Sequence, residues 1–118
     1  MTEANRHEIE RLYREAVTVA DQARGWFDGP GVRWRAGLSP DNQALVATES
    51  LGATSRLMAS MSWLLDPAHA IDGASPRPFG GDSGGAVPGL FAGTPGEAIL
   101  TASRHIAARI AALSQESA

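Results

Sequence analysis

Four clusters in this 118-residue chain have residue types and spacings that could carry chemistry. Gly81-Asp82-Ser83-Gly84-Gly85 sets a serine among glycines, in the manner of a serine-protease nucleophile loop. Serine catalysis also needs a histidine base, a buried carboxylate to hold it, and an oxyanion hole. The β-barrels that position such groups need more length and a strand alternation that is missing here. The motif therefore reads as a flexible Gly/Ser linker, with Ser83 inert. Asp66, His69 and Asp72 stand three apart and could share a metal. His7 and His105 form no His-x3-His pair, zinc asks for more histidines, and hard ions ask for more oxygens. That segment reads as a solvated helix end, with His69 near the negative dipole terminus. No cofactor or metal is expected, and no catalytic residue is assigned.

Arg33-Trp34-Arg35 interleaves basic and aromatic side chains, as single-strand nucleic-acid binders do. One triplet in a chain of net charge −3 is weak attraction for phosphate, and Trp34 reads better as a plug for the end of a helical bundle. Nucleic acid is not an expected partner. No window approaches the ~18 uninterrupted apolar residues that span a bilayer, and the polar start of the chain does not resemble a signal peptide. The absence of Cys removes disulfides, thiolate metal sites and cysteine nucleophiles. A soluble cytoplasmic protein with no membrane partner is expected.

The fourth cluster is Glu49, Gly52 and Arg56, at steps of three and four on one helix face. Glu49 and Arg56 are seven residues apart, about 10 Å along a helix axis, too far to pair within it. Glycine inside a helix costs about 1 kcal/mol relative to alanine and invites a reason, such as close approach of another helix. One reading is an antiparallel twofold contact centred near Gly52, with Glu49 meeting Arg56 of a second copy. Glu49, Gly52, Ala53, Arg56, Ser60 and Trp63 are then the candidate dimer or partner interface. The rival reading pairs Glu49 with Arg104 or Arg109 of its own chain.

The elements that must position these groups are helical. Asn5 can cap a helix over 6–27, with Glu8 reaching back to the cap. Ile9, Leu12, Tyr13, Ala16, Ala20, Ala23 and Phe27 form its apolar stripe, and Asp28-Gly29-Pro30-Gly31 ends it. Ser39 caps a second helix over 40–65, with Pro40 first and Asp41 at the positive dipole end. It carries two stripes: Ala47, Leu51, Thr54, Met58, Met61 and Leu65, and beside them Val46, Ala53, Leu57 and Leu64. That surface exceeds what one neighbour covers, so this helix is central or faces another subunit. Thr94-Pro95-Gly96-Glu97 opens a third helix over 95–114, in which Ile99, Ser103, Ile106, Ile110 and Leu113 keep a seven-residue rhythm; residues 115–118 should fray. Trp26, Phe27 and Trp63 read as core. Asp66–Gly93, rich in Gly and Pro, reads as a long flexible loop that Phe79, Val87, Leu90 and Phe91 pin in places. The expectation is one all-α domain over 1–118, a three-helix antiparallel bundle.

The run Glu49-Ser50-Leu51-Gly52-Ala53-Thr54-Ser55-Arg56-Leu57-Met58-Ala59-Ser60-Met61-Ser62-Trp63-Leu64-Leu65 resembles the signature of the alphaproteobacterial regulator of CtrA degradation family (DUF1465). Leu12, Glu15, Ala16 and Ala23-Arg24-Gly25-Trp26-Phe27-Asp28-Gly29 are similar in the first helix, as are Ser103, Arg109, Ile110 and Leu113 in the third. The resemblance implies a three-helix bundle that forms homodimers. It also implies a non-enzymatic adaptor that, with other adaptor proteins, helps deliver a transcription-regulator cargo of the cell cycle to the ClpXP protease. Two departures stand out: the glycine-rich 66–93 and the short end after the third helix. The alternative function is a small-ligand or signal-sensing helical domain with the long loop as lid.

Overall fold

The computed structural model describes residues 3–65 and 86–116. Among them every regular element is helical: α1 Glu3–Phe27, α2 Pro30–Ala36, α3 Pro40–Leu64 and α4 Pro95–Glu116, with a 3-10 turn at Gly89–Phe91. Three of these match the expected helices, and α2 was not foreseen. The stop signal Asp28-Gly29-Pro30-Gly31 does end α1, but Pro30 also has the φ that a first helical position wants, so the chain turns straight into α2.

The N-terminal cap expected at Asn5 is not there. The α1 helix already runs from Glu3, so Asn5 lies inside it and Glu8 is free to point elsewhere. Ser39 does cap α3, its hydroxyl accepting from the Asn42 amide at 3.2 Å. α4 starts at Pro95 as expected but continues through Glu116, past the expected fraying point.

Leu12, Ala16, Val19 and Ala23 of α1, Val46, Ala53, Leu57 and Leu64 of α3, and Ile99, Leu100, Ile106, Ile110 and Leu113 of α4 form one continuous core. Trp26, Phe27, Trp34 and Phe91 close one end of it. Trp26 lies 4.9 Å from Phe27 and 5.3 Å from Trp34, and Phe91 lies 5.4 Å from Trp34. Such tilted and edge-on rings exceed their burial in value by about 0.5–1.5 kcal/mol per pair. Trp34 is thus the plug that Arg33-Trp34-Arg35 suggested, and Arg35 ties α2 to α1 by donating to the Phe27 carbonyl. Gly96 is needed beneath this cluster, because a Cβ there would stand 2.6 Å from the Trp26 ring. Gly93 turns the chain into α4 with φ of 79°, a conformation that glycine adopts without steric cost.

The helix directions correct the expected antiparallel arrangement. Glu8, near the start of α1, holds Arg109, near the end of α4, while Gly96 at the start of α4 meets Trp26 at the end of α1. Leu64 at the end of α3 shares a groove with Ile9 and Tyr13 near the start of α1. Both α3 and α4 therefore oppose α1 and run parallel to each other. Antiparallel neighbours need only a short connection. A parallel pair makes the chain return along the length of α3, about 37 Å for 25 residues. Of the connection, Val87 and Leu90 pack on the core and Phe91 is fully buried, as their apolar character suggested. Phe79 lies outside the described residues, as does most of the span expected to be flexible.

Candidate interaction surface

Parallel alignment of α3 and α4 places Glu49, nine residues past Pro40, opposite Arg104, nine past Pro95. Arg104 Nη2 donates to Glu49 Oε1 at 2.7 Å, with both side chains largely buried. Of the two readings open for Glu49, the structure has the pairing within its own chain. Ala53 and Ser60 are fully buried and Trp63 nearly so; Ser60 is satisfied by donating to the Arg56 carbonyl at 2.6 Å. The three atoms nearest to where a Gly52 Cβ would stand all belong to Arg56, whose guanidinium is folded back one turn to 3.4 Å from that point. Of the residues singled out as an interface, Glu49 thus pairs with α4, and Ala53, Ser60 and Trp63 are buried within the chain.

The other stripe of α3 is the one left outside. Leu51, Met58 and Leu65 are 70%, 63% and 64% exposed, at steps of seven along one line. Ala47, Thr48, Thr54, Ser55 and Ser62 complete an exposed face without a charged residue. Across a groove of about 460 Å³ lies α1, whose Val17 is also exposed. Phe27, Leu57 and Met61 line that groove with Asp21, Arg24 and Asp28 at its rim. A second groove of about 310 Å³, between Ile9, Tyr13, Leu64 and Leu65, continues along the same seam. Sequence periodicity marked both stripes of α3 but could not tell which one the bundle would take.

The charged contacts elsewhere are structural. Arg109 grips Glu8 with Nε at 2.9 Å and Nη2 at 2.6 Å, a bidentate pair joining α4 to α1. These hydrogen bonds hold the Glu8 carboxyl below its ordinary range; burial opposes them, and the charges of Arg109 and Arg11 add to them. A depressed carboxyl stabilises the fold above its unfolded-state value and stops doing so as pH falls through its folded value. Wild type should therefore exceed Glu8→Gln in urea resistance at about pH 7, and the gap should close by about pH 2. A gap independent of pH would show that the Glu8 charge is not what Arg109 reads.

Among the described residues no three His, Cys, Asp or Glu side chains stand together as metal ligands would, and no helix is long and apolar enough to cross a membrane. Asp66, His69, Asp72 and the Ser83 motif lie outside the described residues. Residues 1–73 match the model of a family described as a protein of unknown function, DUF1465. That span covers α1, α2 and α3 and ends before α4. No curated protein and no solved structure matches the chain.

Proposed function

The chain belongs to the DUF1465 family, and from that premise we propose that it is a non-enzymatic adaptor that binds other proteins through the outer face of α3 and its groove with α1. The observation that carries this reading is the uncharged α3 face with Leu51, Met58 and Leu65 exposed in a row. Depletion of charge around exposed large apolar side chains is what distinguishes the centre of a protein interface from ordinary surface. The row spans 14 residues, about 21 Å, which matches a partner helix better than a small ligand. Resemblance to the regulator of CtrA degradation supplies the context. The proposed setting is the cytoplasm of an alphaproteobacterium, where a homodimer assists ClpXP in degrading a cell-cycle transcription regulator. The small-ligand alternative rests on the same groove, whose lining is chiefly apolar.

Met58→Glu tests the reading. Met58 is exposed, so the change should leave stability within about 0.5 kcal/mol of wild type. It should nevertheless weaken the homodimer in sedimentation and reduce capture of ClpX, response regulators and co-adaptors from a native lysate. A variant that self-associates and captures as wild type does would move the interface off α3. A monomeric wild type that captures none of these proteins would end the adaptor reading.

A further inference from the structure

We propose that Arg56 is a receptor for one carboxylate, carried by an acidic side chain of a partner protein. This rests on the protein-binding reading above and adds one chemical feature to the partner. The Nε and Nη2 atoms of Arg56 are buried, and neither donates a hydrogen bond. Together they form the side-on edge of a guanidinium, two parallel N–H groups that match the two oxygens of a carboxylate. The chain uses that same edge once already, where Arg109 holds Glu8 at 2.9 and 2.6 Å. Glu49, the acid whose charge favours ionised Arg56, gives its Oε1 to Arg104.

Guanidinium keeps its proton at neutral pH, so leaving these donors unmet costs free energy that a ligand can recover. Burial, and then the charge of Arg104, weigh against the ionised form. Arg56 is folded back over Gly52, where the missing side chain makes room for it. Swinging that edge outward breaks no hydrogen bond and turns only flexible torsions. Thr48, Ser55 and Ser62 lie on the exposed side of α3, between this region and the apolar row, and none is charged. One guanidinium binds a free carboxylate only weakly, so useful affinity requires the apolar row beyond Thr48, Ser55 and Ser62 to contribute. That points to an acidic residue on the flank of a docked protein segment and not to a free anion.

The Nε–H resonances of the whole chain should be followed by NMR while sodium acetate replaces sodium chloride at constant ionic strength. Arg56 should shift progressively as acetate rises, without saturating, and Arg109, already paired, should not. Arg56→Met should assign the resonance by removing it and should melt at or above the wild-type temperature, because an unmet buried donor pair is gone. No acetate response at Arg56 overturns the proposal. So does a melting temperature several degrees below wild type in Arg56→Met, which would reveal a partner inside the free chain. Inorganic phosphate acting more strongly than acetate would assign the edge to a phosphoryl ligand and likewise overturn it. Met58→Glu should keep the acetate response, so failure of the apolar face and failure of Arg56 register separately.

Discussion

Phe91→Ala should destabilise the chain by about 4 kcal/mol, the usual cost of removing a fully buried large aromatic side chain. Phe91 is completely enclosed and meets Phe27 edge-on at 6.4 Å and Trp34 at 5.4 Å. It thereby joins the 3-10 turn before α4 to the ends of α1 and α2. The site cannot easily collapse, because Trp26 and Trp34 are themselves held by α1 and α2 on the far side. Phe91→Leu keeps most of the volume and should cost only about 1–2 kcal/mol. Urea unfolding of both variants checks this. A loss below about 1 kcal/mol for Phe91→Ala would mean that the ring site opens readily to water.

Breaking the Glu49–Arg104 pair should have the next largest effect. Glu49→Gln should cost about 3 kcal/mol, the low end for removing one partner of a buried ion pair. The low end applies because each side chain keeps some exposure, 17% for Glu49 and 14% for Arg104. The cost arises from removing the negative charge that faces both Arg104, which also donates to the Leu100 carbonyl, and Arg56, whose charges oppose one another. The double variant Glu49→Leu with Arg104→Leu should consequently be more stable than Glu49→Gln, because it removes both charges of the pair from the seam together. A double-mutant cycle measures the coupling directly. If Glu49→Gln costs under about 1 kcal/mol, the pair behaves as a solvent-screened surface pair and the alignment of α3 with α4 has another source.

The three long helices were legible in the sequence because their signals are local. Ser39-Pro40, the proline and two glycines at 28–31, and the apolar rhythm from Ile99 to Leu113 act over one or two turns. α2 was not legible. Its seven residues make under two turns, too few for a period to show, and its composition also reads as a breaker. The Asn5 cap failed for a related reason: a capping pattern also fits the interior of a longer helix, and Glu8 found a better partner 101 residues away.

The sequence by itself determined that this chain would be helical, where α1 and α3 stop, that Trp26, Phe27 and Trp63 would be core, and that α3 carried more apolar surface than one neighbour needs. Tertiary structure alone decided helix direction, and most of the candidate site follows from direction. Once α3 and α4 run parallel, Glu49 faces Arg104, Ser60 and Trp63 turn inward, and Leu51, Met58 and Leu65 stay outside. No local rule selects between the two stripes of α3, since both satisfy the same period. The choice belongs to α1 and α4 together, which must cover adjoining sides of α3 at once, and only the packed bundle brings them there.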